Sequence, residues 1–190
     1  ELIADRIVSG GDRVTGWKLA GNSPNFRKAY DDHPCMVGFL FASGAEASET
    51  TFDFASFGVP LKLESELCFT MRERLGGPAV TREEAANAVA SVAPAYEIAY
   101  SKPDLLTDGK MNLPLCVADN TNNIGYVTGR AISPYPRDHD LREIYVDERR
   151  NGETSHYIRA LDHVDDQLDS IAWLARHLHE RGLAIEPGHC

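Results

Sequence analysis

The chain has 190 residues, a hydrophobic fraction of 43% and a charged fraction of 25%; this suits one globular domain and argues against a disordered or membrane class. The net charge of −10 and the absence of a basic stripe argue against nucleic acid, whose binding depends on Lys and Arg displacing counterions from phosphates. No apolar run approaches the roughly 18 residues of a membrane span, so no membrane partner is expected.

The opening ELIADRIVSG has neither an initiating Met nor the basic-then-apolar order of a secretion signal, so a fragment or a processed product is expected. Residues 13–19 then read as a strand in which Lys18 faces away from Trp17 and Leu19. Residues 61–72, LKLESELCFTMR, alternate more clearly. Leu61, Leu63, Leu67, Phe69 and Met71 share one face, and Lys62, Glu64, Glu66, Cys68 and Thr70 the other. Two carboxylates two residues apart stand about 7 Å apart along a strand, close enough to reach one cation; a polar face turned to water is the plain alternative.

Thr81 with Glu84 forms a capping box, and Ala85, Ala88, Val89 and Val92 continue at helical spacing until Pro94. Residues 95–100 form the next strand, where Glu97 sits between Ala95 and Ala99 on one face. Small neighbours leave room beside the carboxylate for an ion or ligand, although an exposed edge position explains it too. Strands follow at 125–128, 143–149 and 153–159, the last two flanking Asn151-Gly152 as a hairpin turn. The final helix spans 164–181, with an apolar stripe at Val164, Leu168, Ile171, Ala175 and Leu178, acidic first turns and basic last turns. Cys35, Cys68, Cys116 and Cys190 make no CxxC pair, so reduced thiols in a cytoplasmic protein are expected. Many strands, few helices and no regular βαβ alternation give an α+β or mostly β domain.

Six short segments occur in one order along the chain: Gly16-Trp17-Lys18-Leu19; PCMVGFL at 34–40; Glu64-Ser65-Glu66; Pro94-Ala95-Tyr96-Glu97-Ile98; Ala118-Asp119-Asn120 followed by Val127-Thr128-Gly129; and Ala172-Trp173-Leu174-Ala175 followed by Gly182 and Pro187-Gly188. Together they resemble the fumarylacetoacetate hydrolase superfamily, and most closely its 2-keto-4-pentenoate hydratase and 4-oxalocrotonate decarboxylase branch. The resemblance implies a mixed β-roll with peripheral helices, assembled as a homodimer or higher homo-oligomer. It implies that Glu64, Glu66 and Glu97 hold Mg2+ or Mn2+, an oxygen-only set suited to a hard cation. It also implies a small unsaturated 2-oxo acid as substrate, chelated through its carboxylate and 2-oxo group, with Lys18 supplying charge or a proton to the developing enolate. Asp119 and Asn120 are the implied substrate contacts.

The chain departs from the family pattern at 20–22 and at 159–162, and the family continues past the position of Cys190 with further strands. The expectation is therefore a single catalytic domain over 1–190 without those C-terminal strands. Hydration and decarboxylation stay open. So do a carbon–carbon bond hydrolase of the same superfamily, acting on an acylpyruvate with His33 as base, and a non-catalytic member kept for binding or assembly.

Overall fold

The computed structural model describes residues 2–31, 35–100, 106–107, 109–162 and 165–190. After helix α1 (Leu2–Ser9), strand β1 (Val14–Ala20) pairs antiparallel with β2 (Met36–Phe41) across the short helix α2 (Pro24–Ala29). Ser23 caps α2 by accepting the Phe26 N–H, and Pro24 fills the first turn, where no N–H is needed.

The central sheet has the order β3–β8–β5–β4, formed by β3 (Ala45–Glu46), β4 (Leu61–Met71), β5 (Val89–Tyr100) and β8 (Asn123–Thr128). β6 (Leu106–Thr107) and β7 (Lys110–Met111) make a small separate ladder before α4 (Leu113–Ala118). β9 (Tyr145–Arg150) and β10 (Glu153–Arg159) form the expected hairpin, with Asn151 at φ 54° and Gly152 at φ 85° in its turn.

Helix α3 (Arg82–Ala88) begins with the expected capping box but is shorter than the sequence suggests. The apolar positions through Val92 read as one helix, yet Val89 already opens β5, and Pro94 lies inside that strand instead of stopping a helix. The β-branched Val89 and Val92 favour the extended state once β4 is beside them. Pro94 is tolerated because of where its missing N–H would point. Val92 exchanges both backbone hydrogen bonds with Ile132, and the Pro94 carbonyl accepts from Gly129 at 2.8 Å. The pyrrolidine nitrogen therefore faces the irregular stretch between Gly129 and Ile132, where no regular ladder needs a donor.

The last helix, α5 (Gln167–His179), lays Leu168, Ile171, Ala172, Ala175 and Leu178 against α3 and the far ends of β4 and β5. Asp166 accepts from the N–H groups of Leu168 and Asp169 and also takes a two-pronged contact from Arg82, so one carboxylate ties together the starts of α3 and α5. Gly182 (φ 71°) turns the chain, and residues 185–190 run back beside β4, exchanging backbone hydrogen bonds with Leu75 and Met71.

That return path brings Cys190 to Cys68, with Cα atoms 5.5 Å apart and the two sulfurs in contact, where the sequence suggests four separate thiols; Cys35 and Cys116 are free. The same path explains Gly16 of the first motif: a Cβ there would meet the Cys190 carbonyl oxygen at 2.0 Å, and Trp17 N–H donates to that oxygen at 2.9 Å. No helix among the described residues is long and apolar enough to cross a membrane.

Candidate metal centre

The β4–β5 register sets Glu64 directly opposite Glu97 and Glu66 opposite Ala95. Paired residues in an antiparallel ladder point to the same side, so three carboxylates from two strands share one face. A ligand atom from each of Glu64, Glu66 and Glu97 lies within 4.8 Å of the other two. Of the two alanines that flank Glu97 on its face, Ala95 lines the cavity and Ala99 is buried.

Lys18, far upstream on β1, reaches the same place. Its ammonium lies 2.6 Å from Glu97 Oε1 and donates to the Thr121 carbonyl at 3.1 Å. Asn123 donates from Nδ2 to the same Glu97 oxygen at 3.1 Å. The other oxygen, Glu97 Oε2, is buried with no hydrogen-bond partner, although the residue is only 3% exposed. An orphaned carboxylate oxygen in the interior is costly unless something charged meets it. That oxygen, the closeness of the three groups and their all-oxygen chemistry fit a divalent cation of the Mg2+ or Mn2+ kind.

The three glutamates differ in environment. Enclosure by protein raises Glu66 to about 7, helped by the negative charge of Glu97 and opposed by Lys18. Glu66 is nevertheless exposed to solvent, because the enclosing protein surrounds an open cavity of about 570 Å³ that it faces. Burial also raises Glu97, with Lys18 pulling the other way. Burial would raise Glu64 as well, but the hydrogen bond from Lys62 and the charges of Lys18 and Lys62 more than reverse it, leaving Glu64 below its ordinary value.

The cavity is mainly apolar, its walls including Trp17, Leu67, Phe69, Val146, Ile158 and Ile171; Lys18, Glu66, Glu97 and Asn123 also line it. Both segments that depart from the family pattern contribute to the wall, through Asn22 and Ala160.

The implied substrate contacts lie elsewhere. Asp119 accepts a hydrogen bond from the Tyr100 hydroxyl. The Asn120 carboxamide serves β2: Oδ1 accepts the Phe39 N–H at 2.7 Å and Nδ2 donates to the Phe39 carbonyl at 2.9 Å. Asn120, Thr121 and Asn122 all have positive φ, a bend that aims the Thr121 carbonyl at Lys18. Asn120→Ala is therefore expected to lower the melting temperature by leaving two backbone groups unpaired, at a cost of about 1–3 kcal/mol. Thermal unfolding followed by circular dichroism checks this; a direct substrate contact would instead leave stability unchanged. His33 lies outside the described residues. Sequence reasoning placed Lys62 on the face of Glu64 without giving it a role, and it missed Asn123, which only the register of β5 and β8 brings to Glu97.

No family model matches the chain. A 2-hydroxyhexa-2,4-dienoate hydratase of Comamonas testosteroni is 27% identical over 94% of this chain and 66% of its own length. A 4-oxalocrotonate decarboxylase of Pseudomonas sp. (strain CF600) is 30% identical over 98% of this chain and 69% of its own. The chain belongs to the hydratase and decarboxylase branch of the fumarylacetoacetate hydrolase superfamily. It spans about two thirds of the length of these relatives. The solved 4-oxalocrotonate decarboxylase from Pseudomonas putida G7, complexed with magnesium and adipate, superposes with a TM-score of 0.85 at 25% identity, covering 98% of this chain and 69% of that one. A fumarylacetoacetate hydrolase family protein from Yersinia pestis CO92 shares the fold, with a TM-score of 0.61 at 12% identity over 91% of this chain and 76% of that one.

Proposed function

We propose that this protein is a divalent-metal-dependent lyase, a hydratase or decarboxylase, acting on a small unsaturated 2-oxo acid. The observation that carries the reading is the clustering of Glu64, Glu66 and Glu97 beside Lys18, with Lys18, Glu66 and Glu97 lining one cavity and the Glu97 Oε2 atom left without a protein partner. Membership of the family supports it.

Glu64, Glu66 and Glu97 would hold Mg2+ or Mn2+, which supplies Lewis acidity toward a 2-oxo acid. The Thr121 carbonyl and Glu97 fix the Lys18 ammonium at the cavity wall, where it faces the charge that develops as the 2-oxo acid enolises. The ammonium is also placed to hand over a proton there. The apolar wall formed by Leu67, Phe69, Ile158 and Ile171 takes the unsaturated tail. We extend the reading to a cytoplasmic homodimer or higher homo-oligomer. Tyr145 and Tyr157, stacked on the exposed face of the β9–β10 hairpin, support the assembly.

The test is a spectrophotometric assay of the purified protein with Mg2+ or Mn2+, offering a 2-hydroxydienoate and 4-oxalocrotonate. Loss of the conjugated chromophore, abolished by chelator and restored by metal, is expected with one or both. No turnover of either by protein that demonstrably binds the metal would favour a binding role. Glu97→Gln is expected to lower metal affinity at least about a hundredfold, measured by calorimetric titration, because it removes the charge of the most buried ligand.

A further inference from the structure

Glu64 already has a cation of its own. Lys62 precedes it by two residues on β4, projects from the same face, and pairs its ammonium with Glu64 Oε1. The two lysines of the centre differ in setting. The side chain of Lys18 is 11% exposed and is also held by the Thr121 carbonyl, whereas that of Lys62 is 43% exposed and its partner Glu64 is 35% exposed. Lys62 lies on the outer strand of its sheet, at the rim of the cluster.

A divalent ion placed among the three carboxylates would stand within a few ångströms of both ammoniums. Two positive groups sharing one carboxylate repel each other, so the more weakly held one is displaced. Lys62 has a flexible stem and water beside it, and its ammonium rehydrates at little cost.

We propose that Lys62 is a resident counter-cation of the metal centre: it neutralises Glu64 in the metal-free protein, leaves when the divalent ion enters, and by that competition sets the metal affinity. The proposal rests on the metal-centre reading above. It gives Lys62 a task distinct from that of Lys18: Lys62 keeps three neighbouring carboxylates from repelling one another without metal, and it makes the bound ion exchangeable.

The test is calorimetric titration of metal-free protein with Mg2+ and with Mn2+. Lys62→Gln is expected to tighten binding about tenfold, the size of effect given by one charge a few ångströms from a dication at a partly solvated site. Lys62→Arg, which keeps the charge, should stay near wild type. Lys110→Gln removes an exposed lysine on β7 and reports the effect of net charge alone; it should change affinity less than twofold. Unchanged or weaker binding by Lys62→Gln, or equal tightening by Lys110→Gln, would overturn the proposal while leaving the metal centre standing. Wild-type protein that binds neither ion would overturn the metal-centre reading itself, and this proposal with it.

Discussion

Lys18→Ala is expected to cut turnover by about two to four orders of magnitude, the usual share of a positioned proton donor or acceptor. It should also do something the sequence alone does not suggest. Read from the sequence, Lys18 serves only the substrate, so its loss would leave the metal untouched. In the structure its ammonium is 2.6 Å from Glu97 Oε1, and Glu97 is buried. Removing it strands a buried carboxylate, which destabilises a fold by about 3–5 kcal/mol unless the group takes up a proton. A divalent ion would then meet a site with one less competing charge. The variant should therefore unfold at a lower temperature than wild type without metal, regain most of that loss in millimolar Mg2+ or Mn2+, and bind the ion more tightly. Scanning calorimetry with and without chelator reads the first two effects, and titration the third. A variant as stable as wild type without metal would show that the Lys18–Glu97 contact contributes nothing to the fold.

The site was legible from sequence in its components and illegible in its connections. Alternation along β4 shows that Glu64 and Glu66 point one way, and the alanines around Glu97 show room beside it; both follow from the two-residue period of a strand. The meeting of Glu97 with Glu64 depends on the β4–β5 register, a tertiary quantity that no local pattern encodes. Asn123 joins through the neighbouring strand for the same reason. The α3 boundary was misread because Ala85, Ala88, Val89 and Val92 satisfy a helical period, while the strand partner that makes Val89 extended lies nearly twenty residues upstream at Met71. Asn120 shows the converse: it belongs to a recognisable segment, but only the fold reveals that both ends of its carboxamide are engaged with Phe39.

Metal binding is expected to depend on pH through Glu66. Its carboxyl is raised to about 7 by enclosure and by Glu97, so without metal it holds a proton over the range in which an ordinary glutamate has lost one. A ligand must be deprotonated, so entry of the ion expels that proton. Below about pH 7 the affinity should fall by about tenfold per pH unit, and above it the dependence should flatten. Titrations at pH 6 in buffers of different ionisation enthalpy should report release of close to one proton per ion, falling toward zero by pH 8.5. Stability without metal runs the opposite way. A carboxyl whose folded value is raised stabilises the fold fully below its unfolded value of about 4.3 and loses that contribution as pH rises through about 7. The melting-point gain from Mg2+ should therefore be larger at pH 8 than at pH 6. Glu66→Gln, which carries no titrating proton, should bind the ion weakly and with little slope between pH 6 and 8. A wild-type slope equally flat would mean that Glu66 is already ionised at pH 6, and that the ion enters without displacing a proton.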